Sequence, residues 1–563
     1  MSVRVALLAL LAAALAPAPA LAQGTELMPG VTYERTVEFT PHGVVVLNVI
    51  TAPRPGDQNG LYALAPVVAH GTVTGGTESV PQLERDASAS ATVAGVDGDP
   101  VHAADGAPSG ILLQNGVLQH PPLAGRSSIG VDTAGLLHVD RVRFFGTWQG
   151  GGQRRALDGL NRTPAPGEVV LFTPAYGART PAVVGAAEAV LEPFPAATPN
   201  ADLAATVAAA GNGGGEAIPA DGAVLMATGA AAARLRAEAP VGSVVHARLI
   251  LQPSWGGVTT ALGGGPLLVR AGKPVFRTTE DFTNDQVTSR APRAAVGQLA
   301  DGRILLVAVD GGRPGYSVGL TSYELAQALV GLGAVTAAGL DSGDAVTMAF
   351  DGTLLDRPSG PAPRPVKEAL LVQYFGVYAP QPPLPLVTGD SGRTQETLTY
   401  RLVRPSTVTA SLIGPDGQPR PVETGVVHGP GTYTFTASTF DREGTWHWHV
   451  AATDDLGRQS TDDRTFVVDT TLRGLAVSSG GGVATARFTL TRPAQVELRI
   501  ETAGGVVLRT LPAVSLAPGV RSIRWDGRLP LGTRAYPGTY VAHLFVTSVV
   551  GTSDQSGSFI FRR

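Results

Sequence analysis

The sequence has no cysteine in 563 residues. Thiolate nucleophiles, Cys-ligated zinc, Cys-ligated iron–sulfur clusters and disulfide staples are therefore excluded, and the fold must be held by its hydrophobic cores. Charge is scarce too. Asp, Glu, Lys and Arg make up 16% of the residues, and the formal net charge is −4 with no long block of either sign. That balance gives neither the basic stripe of a nucleic-acid binder nor a polybasic membrane patch. After the first 22 residues no apolar run is long enough to span a bilayer, so no transmembrane helix is expected in the mature chain. Helical periodicity is rare, whereas Gly (71) and Pro (44) are plentiful and favour short strands joined by many turns. With a mean hydropathy of +0.14 there is enough apolar surface for packed cores. The length predicts two to four domains.

Residues 1–22 read as a signal peptide. Arg4 gives a positive start, Val5 to Ala16 is nearly all apolar, and Ala20-Leu21-Ala22 fits signal peptidase, leaving Gln23 as the new N-terminus. Export to the periplasm, cell envelope or medium is the expectation, and the composition points to a bacterium. Strands are expected at Val44 to Ile50, Val169 to Phe172 and Ile304 to Val309, all rich in β-branched residues. The clearest helix starts after Thr321, where Glu324 completes a capping box, and runs to Gly331; Ala230 to Ala239 is a second. Four prolines crowd between Tyr378 and Leu386, predicting a semi-rigid linker over 379–386. Behind it Leu402-Val403-Arg404-Pro405 repeats as Leu490-Thr491-Arg492-Pro493, and Pro430-Gly431-Thr432-Tyr433 repeats as Pro537-Gly538-Thr539-Tyr540. A period near 90 residues of short strands is the size of a β-sandwich. Two immunoglobulin-like modules are therefore expected, over 387–470 and 471–563. The second, with Gly505-Val506-Val507-Leu508 and Trp525-Asp526-Gly527, resembles the FlgD-type Ig-like domain, which implies a spacer or docking role.

The chemistry-bearing blocks lie upstream, within 23–378. They include Asp97-Gly98-Asp99, Pro108-Ser109-Gly110, Gly263-Gly264-Gly265-Pro266, Pro292-Arg293, Asp310-Gly311-Gly312-Arg313, Ser317-Val318-Gly319, Leu340-Asp341 and Arg364-Pro365. In order and spacing they resemble the phosphodiester glycosidase family, which includes the enzyme that removes N-acetylglucosamine from a phosphodiester to uncover mannose 6-phosphate. The resemblance implies an α+β domain made mostly of strands, and hydrolysis of sugar 1-phosphodiester bonds in extracellular or cell-wall glycans. Such a bond already has a good leaving group, so the protein must mainly stabilise an oxocarbenium-like centre and activate water, which is work for carboxylates. By motif position Asp99, Asp310 and Asp341 are the catalytic candidates. Arg293 and Arg313 are candidates for the phosphate, because a guanidinium fork can hold two of its oxygens. Ser317, Asp97 and His102 complete the substrate-binding set.

Each candidate also has an ordinary reading. Asp-Gly is a routine turn signal that recurs here at 301–302, 351–352 and 416–417, and an arginine beside a strand is commonly solvated. Gly315-Tyr316-Ser317-Val318-Gly319 matches a serine-hydrolase elbow, but its serine stands well past a strand end and four residues before the helix cap. No cofactor is implied. A hard cation such as calcium is the one that Asp97, Asp99, Asp105, Asp341 and Asp344 would leave open, though their spacing matches no known cage. The sequence also departs from the family pattern. Pro100-Val101 replaces an aromatic pair, Ala294 replaces a threonine, and Ser342-Gly343-Asp344 replaces a run of glycines. These changes read as an eroded active-site motif, with a negative charge at Asp344 where a phosphodiester would pass. The alternative expectation is therefore a catalytically inactive pseudoenzyme, an extracellular glycan-binding or interaction module.

Overall fold

The computed structural model describes residues 24–99, 107–275, 279–388 and 393–562. Residues 1–22, expected as a signal peptide, and His102 lie outside them. Strand is the dominant structure, as the composition predicts. Among the described residues, two eight-stranded and two five-stranded sheets build the first part, and four further sheets of two to five strands build the remainder.

The strand Ile304–Val309 shows why some runs are continuously apolar. Ile304, Leu306 and Ala308 enter one core, while Leu305, Val307 and Val309 enter another, so both faces of the strand are buried. It pairs with Gly43–Ala52 on one side and Arg293–Leu299 on the other, and Ala334–Ser342 continues the sheet. The helix Ser322–Gly331 covers one face of this sheet with Leu325, Ala326 and Leu329. Its start is fixed by the expected capping box: Thr321 Oγ1 accepts from Glu324 N, and a Glu324 carboxylate oxygen accepts from Thr321 N. The second expected helix spans Gly229–Glu238.

On the other face, the first core is shared with two five-stranded sheets. Thr92–Asp97 and Glu368–Tyr374 contribute Ala94, Val96, Leu370 and Val372, while Ser127–Asp132 and Val258–Gly264 contribute Ile129, Val131 and Leu262. Strands of three sheets therefore end around one place, close to Asp97, Gly263, Arg293 and Asp341. The second eight-stranded sheet, containing Val169–Phe172, has its own core with Trp148 and Leu225.

The proline-rich segment expected as a spacer does not stand free. Ala379 N donates to an Asp462 carboxylate oxygen, Val467 N to Pro385 O, and Leu386–Val387 pairs in parallel with Gln459–Val468. Proline suits this position because an edge segment has few ladder bonds to donate. Beyond it, Gly444–Asp454 alternates as a half-buried strand should, with Trp446, Trp448, Val450 and Ala452 inward. The internal repeat is a structural one, with one adjustment. Leu402 pairs with Gly431 in the first copy and Leu490 with Gly519 in the second, so Pro430-Gly431 corresponds to Pro518-Gly519, not Pro537-Gly538. The Pro-Gly-Thr-Tyr identity misled because both Pro-Gly pairs open strands. Among the described residues no helix is long and apolar enough to cross a membrane.

One arginine ties the two-tryptophan sandwich to the upstream sheets. Arg401 donates to both Asp351 carboxylate oxygens at 3.0 Å and to Thr92 Oγ1 at 2.9 Å, and its guanidinium lies 5.4 Å from the Tyr378 ring centre. Arg401→Met should remove a charge-assisted fork worth about 1–3 kcal/mol and leave Asp351 without its counter-charge, held by Ser88 Oγ at 2.7 Å. Scanning calorimetry should show the unfolding transition lowered by a few degrees; an unchanged transition would mean the fork adds nothing.

Candidate functional site

A cleft beside the converging strand ends has a volume of about 560 Å³, within the usual range of small-molecule sites. Its floor includes Gly339, Leu340, Asp341 and Ser342, its walls Arg126, Phe282, Arg293 and Pro266, and its rim Arg364. The start of the helix Ser322–Gly331 also opens onto it through Ser322 and Leu325.

Asp341 stands at the end of the strand Ala334–Ser342. Its N–H donates to Gly98 O at 3.0 Å and its carboxylate accepts from Ser342 N at 2.6 Å. Burial raises its pKa to about 6, with Asp344 adding to the rise and the Ser342 N–H, Arg364 and Arg126 opposing it. Asp99 lies behind, 4% exposed. Gly110 and Gly263 are required there, since a Cβ at either would come within 2.7 and 2.1 Å of an Asp99 oxygen. Burial pushes the Asp99 carboxyl up to about 7 against the pull of Arg126. Asp97 is fully buried. One oxygen accepts from Thr347 N at 2.9 Å and the other has no partner among the described residues. Burial first and Asp341 second hold its pKa well above the usual carboxylate range. Glu368, also fully buried, is raised by burial and by Asp99.

Arg293 opens the strand Arg293–Leu299 and is 5% exposed. Its Nε donates to Leu320 O and one terminal nitrogen to Ser289 O, both at 2.8 Å. Among the described residues no carboxylate pairs with it, and burial alone lowers its pKa to about 10. A desolvated guanidinium without a counter-charge is a prepared anion site. Ser322 Oγ, buried at the helix start, likewise has no partner among the described residues. Arg126 lies over the Phe282 ring at 4.4 Å.

Of the sequence candidates, Arg293 and Asp341 line the cleft, Asp97 and Asp99 lie buried behind Asp341, and Asp310, Arg313 and Ser317 are off the lining. Asp310 accepts from Asn48 Nδ2 at 2.9 Å, Tyr316 OH at 2.6 Å and Arg357 N at 3.3 Å. Arg313 donates to Pro358 O and Gly360 O. Ser317, completely buried, donates to Asp310 O and accepts from Val46 N. These three close the loop after Ile304–Val309, and Ser317 is not presented as a nucleophile. Among the described residues no three His, Asp or Glu side chains converge as a metal cage. Sequence reasoning missed Arg126, Phe282 and Glu368. Arg364 stood in a recognised block without a role; nothing around Arg126 or Phe282 marks them in sequence.

Asp99 yields a pH-dependent prediction. A carboxyl whose folded pKa is raised takes up protons on folding, so its stabilising effect is complete below its unfolded value near 4 and is lost as pH rises through about 7. Asp99→Asn should therefore be more stable than the parent at pH 8 by on the order of 1–3 kcal/mol, with the gap closing toward pH 4. Calorimetry from pH 4 to 8 checks this, and parallel curves for the two proteins would refute it.

Comparison with known proteins follows the same division. Residues 197–373 match the family described as Phosphodiester glycosidase, and residues 470–548 match the FlgD Ig-like domain. The first match holds Arg293, Asp341 and Glu368 but begins after Asp97, Asp99 and Arg126. A stretch of 118 residues is 30% identical to the SPbeta prophage-derived uncharacterized protein YomE of Bacillus subtilis (strain 168), covering 21% of this chain and 18% of YomE. A hypothetical protein from Synechocystis is similar in structure at 25% identity and a TM-score of 0.50, over 62% of each chain. The catalytic domain of zebrafish N-acetylglucosamine-1-phosphodiester alpha-N-acetylglucosaminidase aligns at 12% identity over 62% of this chain and 84% of that one, with a TM-score of 0.34 that carries no argument. The chain therefore spans less than two thirds of the Synechocystis protein and under a fifth of YomE. It resembles the phosphodiester glycosidase family, with an FlgD Ig-like domain behind the matching segment.

Proposed function

We propose that the chain is an exported hydrolase of sugar 1-phosphodiester bonds in extracellular or cell-wall glycans. The observation that carries this reading is the presence, in one cleft, of a carboxylate at Asp341 and a buried, uncompensated guanidinium at Arg293. Arg293 and the start of the helix Ser322–Gly331 receive the phosphodiester, where N–H groups and the helix dipole favour an anion. Asp341 takes a proton from water as its oxygen adds to the sugar C1. The C1–O bond breaks and the electron pair leaves with the phosphate, giving a free sugar and a phosphomonoester. Burial, with Asp344 adding to it, raises the pKa of Asp341 to about 6, and Asp341 in turn helps to keep Asp97 and Asp99 protonated behind it. The segment 23–378 carries this chemistry, and the sandwiches over 387–470 and 471–563 serve as spacer or docking modules.

Incubating the purified chain with a panel of sugar 1-phosphodiesters, N-acetylglucosamine first, and following phosphomonoester by phosphorus NMR tests the reading. Turnover is expected, reduced about 10²–10⁴-fold in Asp341→Asn. In Arg293→Gln, KM should rise more than kcat falls. Because Asp341 must be ionised, kcat/KM should decline as pH drops below about 6. Binding without turnover across the panel would replace this reading with the pseudoenzyme, whose support is the loss of glycines at Ser342 and Asp344.

A further inference from the structure

The turn Ser342-Gly343-Asp344 carries the charge expected to repel a phosphodiester, and the structure shows how that charge is met. Gly343 keeps a left-handed backbone at φ +86° and donates to Pro292 O at 3.0 Å, so the turn holds its path without Asp344. Asp344 instead accepts from Arg364 at 2.7 Å, with side-chain exposures of 63% and 61%. Arg364 lines the cleft and Asp344 does not.

Among the described residues the ionisable side chains lining the cleft are Arg126, Arg293, Asp341 and Arg364. With Asp341 ionised, Arg126 and Arg293 exceed it by one positive charge. Asp344 offsets Arg364, the two acting on Asp341 with opposite signs. One net positive charge matches a phosphodiester, which is a monoanion. A phosphomonoester carries nearly two negative charges at neutral pH and finds no second counter-charge. We propose that Asp344 is a specificity-determining residue, which by occupying Arg364 sets the cleft for monoanionic phosphodiesters and against dianionic phosphomonoesters. The disfavoured class includes the monoester that hydrolysis would leave behind, so the same pair speeds product departure. The proposal rests on the phosphodiester reading of the cleft given above. An ion pair this exposed is weakly held and screened by salt, so its removal should change ligand choice without unfolding the turn.

The test is binding, read by ligand-observed NMR on the full chain at pH 6.5, above the Asp341 pKa of about 6 and below the Asp99 pKa of about 7. The probes are N-acetylglucosamine 1-phosphate, a dianion, and its methyl diester, a monoanion. In Asp344→Asn the monoester should bind about tenfold tighter and the diester no more than about twofold, with the gain shrinking at high salt. The double variant Asp344→Asn, Arg364→Gln should lose the gain. Equal tightening of both probes, or none, overturns the role of Asp344 and leaves the cleft reading standing. Failure of both probes to bind any form, with unfolding temperatures unchanged, overturns the cleft reading and this proposal with it.

Discussion

The constraint on which the site depends is the burial of carboxyl groups where three sheets end. Asp97, Asp99 and Glu368 are each under 5% exposed, and none of them makes an ion pair among the described residues. A carboxylate so placed cannot keep its charge cheaply, and retains a proton instead. The arrangement persists because the surrounding sheets are packed on both faces, with Val96, Ala308, Ala338 and Leu370 entirely or almost entirely out of water. The backbone meets the acids through glycine. Gly98, Gly110 and Gly263 lie where any side chain would collide with Glu368 or Asp99. Such local conflict with ordinary burial rules, supported by a large regular core, is where functional sites are expected.

From that constraint the cleft's electrostatics follow. Burial raises the pKa of Asp341, Asp344 adds to the rise, and Arg126 and Arg364 oppose it only through space. Arg293 faces the opposite problem. Its donors are partly satisfied by the carbonyls of Ser289 and Leu320, which fix its orientation without neutralising it. Carbonyl partners therefore leave the full positive charge available to an anion, as a carboxylate partner would not.

Much of this was legible in sequence because it is local. The run Ile304 to Val309 and the capping box of Thr321 and Glu324 each depend on neighbours a few residues apart, and the 88-residue offset between Arg404-Pro405 and Arg492-Pro493 is read by matching one short motif to another. Asp97, Asp99, Arg293 and Asp341 were singled out by the order of the blocks, and they lie at or just beyond the ends of strands that meet in one place. Asp310, Arg313 and Ser317 looked equally functional, because a turn that locks itself uses the same Asp, Gly, Arg and Ser as a binding loop. Only the partners separate the two cases: Asn48 and Val46 from a distant strand, and Pro358 and Gly360 from a distant loop. Arg126 and Phe282 reach the cleft from segments with no distinctive spacing, and nothing short of tertiary structure brings a guanidinium over that ring.

The replaced glycines show how the two kinds of reading differ. In sequence, Ser342 and Asp344 count as losses, since bare amides and open space give way to side chains. In space, the one glycine that the backbone requires is kept. Gly343 has the positive φ, while Ser342 still donates its N–H to Asp341. The substituted side chain at 344 turns to the rim and meets Arg364. Substitution is tolerated where Cβ points to solvent and refused where φ is left-handed. The motif is altered at one cleft-lining position, Ser342, and one outward position, Asp344, while the backbone path through Gly343 remains.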